Sequence, residues 1–108
     1  MIRLIPNPTF RARVKFTQPG GEDAFVDFVF RHKAPTALSA WLEASKDKSI
    51  ASAMADVIES WSGVIDEAGS EIAFDADALM AFCAGHGPRA QELLGAYLRE
   101  LTESRRKN

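Results

Sequence analysis

Phe10-Arg-Ala-Arg-Val-Lys-Phe-Thr17, followed by Gln18-Pro-Gly-Gly-Glu-Asp23 and then Phe25-Val-Asp-Phe-Val-Phe30, is the stretch that decides the fold. Phe10, Ala12, Val14 and Phe16 alternate with Arg11, Arg13, Lys15 and Thr17. That two-residue period belongs to a strand with one buried face and one wet, basic face. The Pro-Gly-Gly cluster is turn chemistry, and the second run is β-rich, with Val26, Phe28 and Phe30 on one side. The stretch is therefore a β-hairpin. Phe25 and Val29 share the opposite side with Asp27, so that face is also partly apolar and is expected to meet a helix or another subunit. A lone hairpin is marginal and requires such cover.

Beyond Pro35 the period changes to a helical one, which makes the chain α+β: an N-terminal hairpin followed by about four helices in one small domain. Pro35-Thr36 opens the first helix, with Leu38, Trp41 and Leu42 on its apolar side. A break at Ser45-Lys46 and a capping Asp47 precede the second. Ile50, Met54, Val57, Ile58 and Trp61 fall at helical spacing opposite Ser52, Asp56, Glu59 and Ser60, which predicts a helix from Ile50 to Trp61 ended by Gly63. Residues 64–74 read as a loop or small hairpin turning at Glu67-Ala-Gly69, with Ile72 and Phe74 returning to the core. Asp75 caps a third helix through Ala84 that buries Leu79, Phe82 and Cys83, with Gly85 as a left-handed stop. Pro88 begins the last helix, whose stripe is Leu93, Leu94, Tyr97, Leu98 and Leu101. Residues 1–9 and 102–108 are expected to be flexible ends.

A chain of 108 residues, 46% hydrophobic and 26% charged, suits one globular domain with a single core. Thirteen basic and fifteen acidic residues give a net charge of -2, so no global field draws it to nucleic acid or anionic lipid. A protein partner is expected. One cysteine excludes an intrachain disulfide and fits a reducing compartment. The start, Met-Ile-Arg-Leu-Ile-Pro-Asn-Pro, lacks a signal-peptide core, and no apolar run approaches the ~20 residues of a membrane span. A cytoplasmic location is expected.

Catalytic constellations are weak. Cys83 and His86 form the one metal-like pair, but a structural zinc site takes four ligands and the chain has one Cys and two His. A buried helix cysteine and a solvated loop histidine explain them better. A Cys-His nucleophile would also need an activated thiolate and an orienting third group. Asp75 with Asp77 suits a helix start better than acid-base catalysis, and Asp66-Glu-Ala-Gly69 suits a turn and lacks calcium-loop spacing. Arg11, Arg13 and Lys15, with Arg31, His32 and Lys33, form a basic patch that phosphates could meet. Alternating charge is also what a solvated edge strand normally shows. No catalytic residue, cofactor or metal ligand is assigned. Trp41, Trp61 and Tyr97 lie on apolar stripes and serve as core, as interface, or as both.

From Phe25 onward, Ala34-Pro-Thr-Ala37, Trp61-Ser-Gly-Val64, Phe74-Asp75, Leu79 and Ala96-Tyr-Leu98, in that order and at this length, resemble the tail assembly chaperones of long-tailed bacteriophages and prophages. The resemblance implies a non-catalytic protein that binds the tape measure protein and helps bring tail tube subunits to it. It further implies self-association, action in the host cytoplasm and absence from the finished virion. The candidate interaction residues are Phe25, Val29, Trp41, Met54, Trp61, Leu94, Tyr97 and Leu98. Members of the family often have a longer form made by ribosomal slippage, and Arg106-Lys107-Asn108 is a string that a slippery A-rich codon run could encode. The alternative is another prophage or bacterial protein-binding module, such as a regulator or immunity-like partner with one defined client.

Overall fold

A computed structural model describes the backbone of residues 9–107, with side chains through Glu103. The expectation for residues 1–8 lies outside the described residues. The element order is β1 (Thr9–Thr17), β2 (Asp23–Arg31), α1 (Pro35–Ala44), α2 (Ile50–Met54), β3 (Ile58–Ser62), α3 (Ala76–Ala84) and α4 (Arg89–Lys107). The class is α+β, with four helices among the described residues, as the periodicity predicts. β1 and β2 pair antiparallel in the register Phe10↔Phe30, Ala12↔Phe28, Val14↔Val26 and Phe16↔Ala24, so the alternating apolar residues share one face.

The sheet is not a lone hairpin. β3 pairs antiparallel with the other edge of β2, giving the order β1-β2-β3. The expected helix over Ile50–Trp61 is therefore corrected: only Ile50–Met54 is helical, and Ile58–Ser62 is a strand. The cause is a β-bulge. Phe28 faces Trp61 and Val29 faces Ser60, but the register shifts between Val29 and Phe30, so that Phe30 faces Ile58. Glu59 is the extra residue, and the shift turns the usual alternation into buried Ile58, exposed Glu59 and Ser60, buried Trp61. A bulged strand thus presents apolar residues three apart, as a helix does. The residues expected to be apolar there are indeed inward, with Val57 and Ile58 at 0% and 1% exposure, but a turn and a strand deliver them.

Two local assignments also change. The α2 cap is Ser49, whose hydroxyl accepts from the Ser52 amide at 3.1 Å, not Asp47. Gly85 ends α3 in right-handed conformation, with φ -68°, and does not form the expected left-handed stop. Asp75 caps α3 as expected, its carboxylate accepting from the Ala78 amide at 2.7 Å. The 63–74 segment turns at Asp66, which accepts from the amides of Ala68 and Ser70, and closes with an Ile65↔Glu71 bridge.

The core lies between one sheet face and the helices. Val14, Phe16, Val26, Phe28, Phe30 and Ile58 meet Met54 of α2, Leu79 and Cys83 of α3, and Leu93, Tyr97 and Leu101 of α4. Tyr97 is at its centre. Its ring lies 5.1 Å from Phe30 and 5.8 Å from Trp41 of α1, and its hydroxyl donates to the Arg31 carbonyl at 2.8 Å. Trp61 similarly donates from Nε1 to the Ile72 carbonyl at 2.8 Å, which ties the 63–74 segment to β3. Each large apolar side chain so buried contributes about 1.5–3 kcal/mol, and the helices thereby supply the cover that the hairpin lacks.

Candidate functional site

The eight candidate interaction residues separate by burial. Trp41, Met54, Trp61 and Tyr97 lie in the core at 7%, 0%, 8% and 0% exposure, so their side chains already have partners within the domain. Phe25 is exposed, and Val29, Leu94 and Leu98 are half-buried. Those four retain surface for a partner, in two different places.

The first place is a groove between α1, α2 and α4. It encloses about 180 Å³ and is lined by Trp41, Leu42, Ser45, Ile50, Ala53 and Leu94, with Lys48 at its edge. α1 brings only Trp41 fully inward, where its ring meets that of Tyr97. Leu42, next along the same stripe, remains 41% exposed. On α4, Leu93 and Leu101 fill the core, leaving Leu94 and Leu98 on its flank. Trp41 Nε1 and Ser45 Oγ are buried in the groove wall without a hydrogen-bond partner among the described residues. The wall therefore carries donor capacity that the fold does not use.

The second place is the outer sheet face, a shallow hollow of about 460 Å³ flanked by Arg11, Arg13, Asp27, Val29, Ser60 and Ser62. Arg13 Nε lies 2.9 Å from Asp27 Oδ1, and Lys15 Nζ lies 3.8 Å from Asp23 Oδ2. The hydrogen bond and charge of Arg13 hold the Asp27 carboxyl below its usual range. Basic residues of β1 are thus answered by acids of β2 across the strand pair, which weakens the patch as a phosphate-binding surface.

Neither surface contains a reaction centre built from the suspected groups. Burial pushes the Cys83 thiol up, the opposite of an activated nucleophile, although the charge of Arg89 offsets this in part. Among the described residues, no group of three or more His, Cys, Asp or Glu could hold a metal, and no helix is long and apolar enough to cross a membrane.

Sequence reasoning assigned no role to Ile65 or Arg89. Ile65 is 59% exposed in an acidic turn, where an isolated apolar residue is itself a signal. Arg89 opens α4, at the helix end where a cation is disfavoured, and that mismatch was legible. A family model described as phage tail assembly chaperone matches residues 1–108, the whole chain. No curated protein and no solved structure matches it.

Proposed function

Because the chain belongs to the phage tail assembly chaperone family, we propose that it acts without catalysis as a binding partner of the tape measure protein, and that it helps recruit tail tube subunits. The observation that carries this reading is the groove between α1, α2 and α4, where Leu42, Ile50 and Leu94 offer apolar surface between helices. An amphipathic client helix laid into such a groove would bury its apolar face and remain soluble. The proposed setting is the host cytoplasm, before the tail is complete. Self-association is proposed through the outer sheet face, where Phe25 and Val29 interrupt an otherwise polar surface. Back-to-back packing of two such faces would cover both side chains.

Co-expression tests the reading. The tape measure protein should stay in the soluble fraction with this chain and precipitate without it. Leu94→Glu and Leu42→Glu, which place a charge in the groove, should abolish that protection while the domain keeps its circular dichroism spectrum. A tape measure protein equally soluble alone would end the proposal.

A further inference from the structure

A third hollow, of about 210 Å³, lies at the turn end of the sheet between β2, the 63–74 segment and the α3–α4 junction. We propose that it receives a carboxylate carried beside a large apolar side chain on a partner protein, with Arg89 as the carboxylate's ligand. This rests on the reading of the chain as a protein-binding chaperone and assigns a chemistry to one of its contacts.

The rim is apolar. Phe25 and Ile65 border the hollow at 55% and 59% exposure, two of the most exposed large hydrophobic side chains, with Val64 and Phe82 beside them. Arg89 provides a cation among these groups. Its guanidinium carbon lies 4.7 Å from the centroid of the Phe82 ring. Nη1 donates to the Phe82 carbonyl at 3.0 Å and Nη2 to Gln18 Oε1 at 3.2 Å, both neutral acceptors. Nε is buried without a partner among the described residues. No carboxylate of the described residues pairs with this cation, since Glu92, one turn along α4, accepts instead from the amide and hydroxyl of Thr17.

A Cβ at residue 85 would sit 2.8 Å from Nη1, so the guanidinium occupies space that Gly85 leaves open. Capping the end of α3 explains the bond to Phe82, but it uses one of five guanidinium N–H groups. A planar donor fork fixed by a helix end, a ring face and Gln18 is preorganised for a carboxylate. The apolar rim would add contact for a neighbouring side chain. Charge complementarity selects an acidic-apolar segment over a purely apolar one.

The test uses the full chain, labelled with nitrogen-15, with N-acetyl-L-leucine as probe and N-acetyl-L-leucinamide as its neutral match at equal ionic strength. The acid should give saturable shifts at Arg89 Nε and at the amides of Phe25 and Ile65. The amide, or the acid with Arg89→Met, should bind at least about tenfold more weakly, the size expected for losing a charge-assisted hydrogen bond. Arg89→Lys, which keeps the charge without the fork, should fall between, and unchanged dispersion of the remaining resonances will show that each variant is folded. Equal binding of acid and amide would overturn the proposal. So would shifts spread over Arg11, Arg13 and Lys15, or concentration-dependent shifts at Arg89 Nε without probe, which would mean that a second copy fills the hollow. If Arg89→Met protects the tape measure protein as the parent does and the titration is flat, this inference fails while the function stands; if the parent gives no protection, the function itself fails.

Discussion

Removing one oxygen from the centre of the domain, in Tyr97→Phe, measures how tightly α4 is tied to the sheet. Tyr97 is 0% exposed, and its hydroxyl donates to the carbonyl of Arg31, the last residue of β2, at 2.8 Å. Phenylalanine keeps the ring and its packing on Phe10, Phe30 and Trp41. The hydrogen bond to Arg31 is lost. A net hydrogen bond is worth about 1 kcal/mol, and leaving a part-buried acceptor without its partner raises the cost toward about 2 kcal/mol. For a domain of this size that corresponds to a drop in Tm of roughly 5–12 °C. Urea unfolding should show the midpoint falling with an unchanged m value, since the exposed area on unfolding is the same. Phe30→Ala gives the scale for comparison: it opens a cavity at a fully buried ring and should cost about 3–5 kcal/mol. A Tyr97→Phe midpoint equal to that of the parent would refute the account, because the Arg31 contact would then contribute nothing.

Gly63→Ala should destabilise by about 1–2 kcal/mol: Gly63 has φ +98°, and an added Cβ would lie 3.4 Å from the Phe25 carbonyl; chemical denaturation reads the loss. The Asp27 carboxyl is held below its ordinary value by Arg13, so its contribution should be present above the ordinary carboxylate range and lost as pH falls through the lowered one. Both groups are exposed, so the effect should be small and fade with salt, and Asp27→Asn should flatten that part of the pH-stability curve. Cys83, buried and with its thiol pushed up, should react with iodoacetamide more slowly in the folded protein than after urea unfolding; equal rates would place it at the surface.

The amino-acid sequence by itself determined the parts whose signal is local. β1 and β2 are legible because Phe10 to Phe16 and Val26 to Phe30 alternate cleanly on either side of a Pro-Gly-Gly turn, and the observed register places those residues on one buried face. The start of α1 at Pro35 and the Asp75 cap of α3 are equally local: a fixed φ and a carboxylate three residues before an open amide are readable without tertiary context. The α4 stripe was readable too, although which of its leucines would be left partly exposed was not. Phe25 and Val29 were placed correctly on the outer side because a strand's faces follow from its period.

Tertiary structure decided the segment from Ile50 to Trp61. Its apolar spacing fits a helix, and nothing within the segment reports that the edge of β2 requires a partner. Pairing with β2 satisfies that edge, and the bulge at Val29–Phe30 allows Ile58 and Trp61 to face inward together. Likewise, the space beside Gly85 is taken by a guanidinium that arrives from Arg89, which its own backbone angle does not report. The separation of Trp41, Met54, Trp61 and Tyr97 from Leu42 and Ile65 was also beyond local reading. Both groups are apolar and suitably spaced, and exposure depends on how much helical surface a three-stranded sheet can cover. A strand edge, a shared core and a close approach each join residues distant in the chain, so their energies enter only when the chain folds.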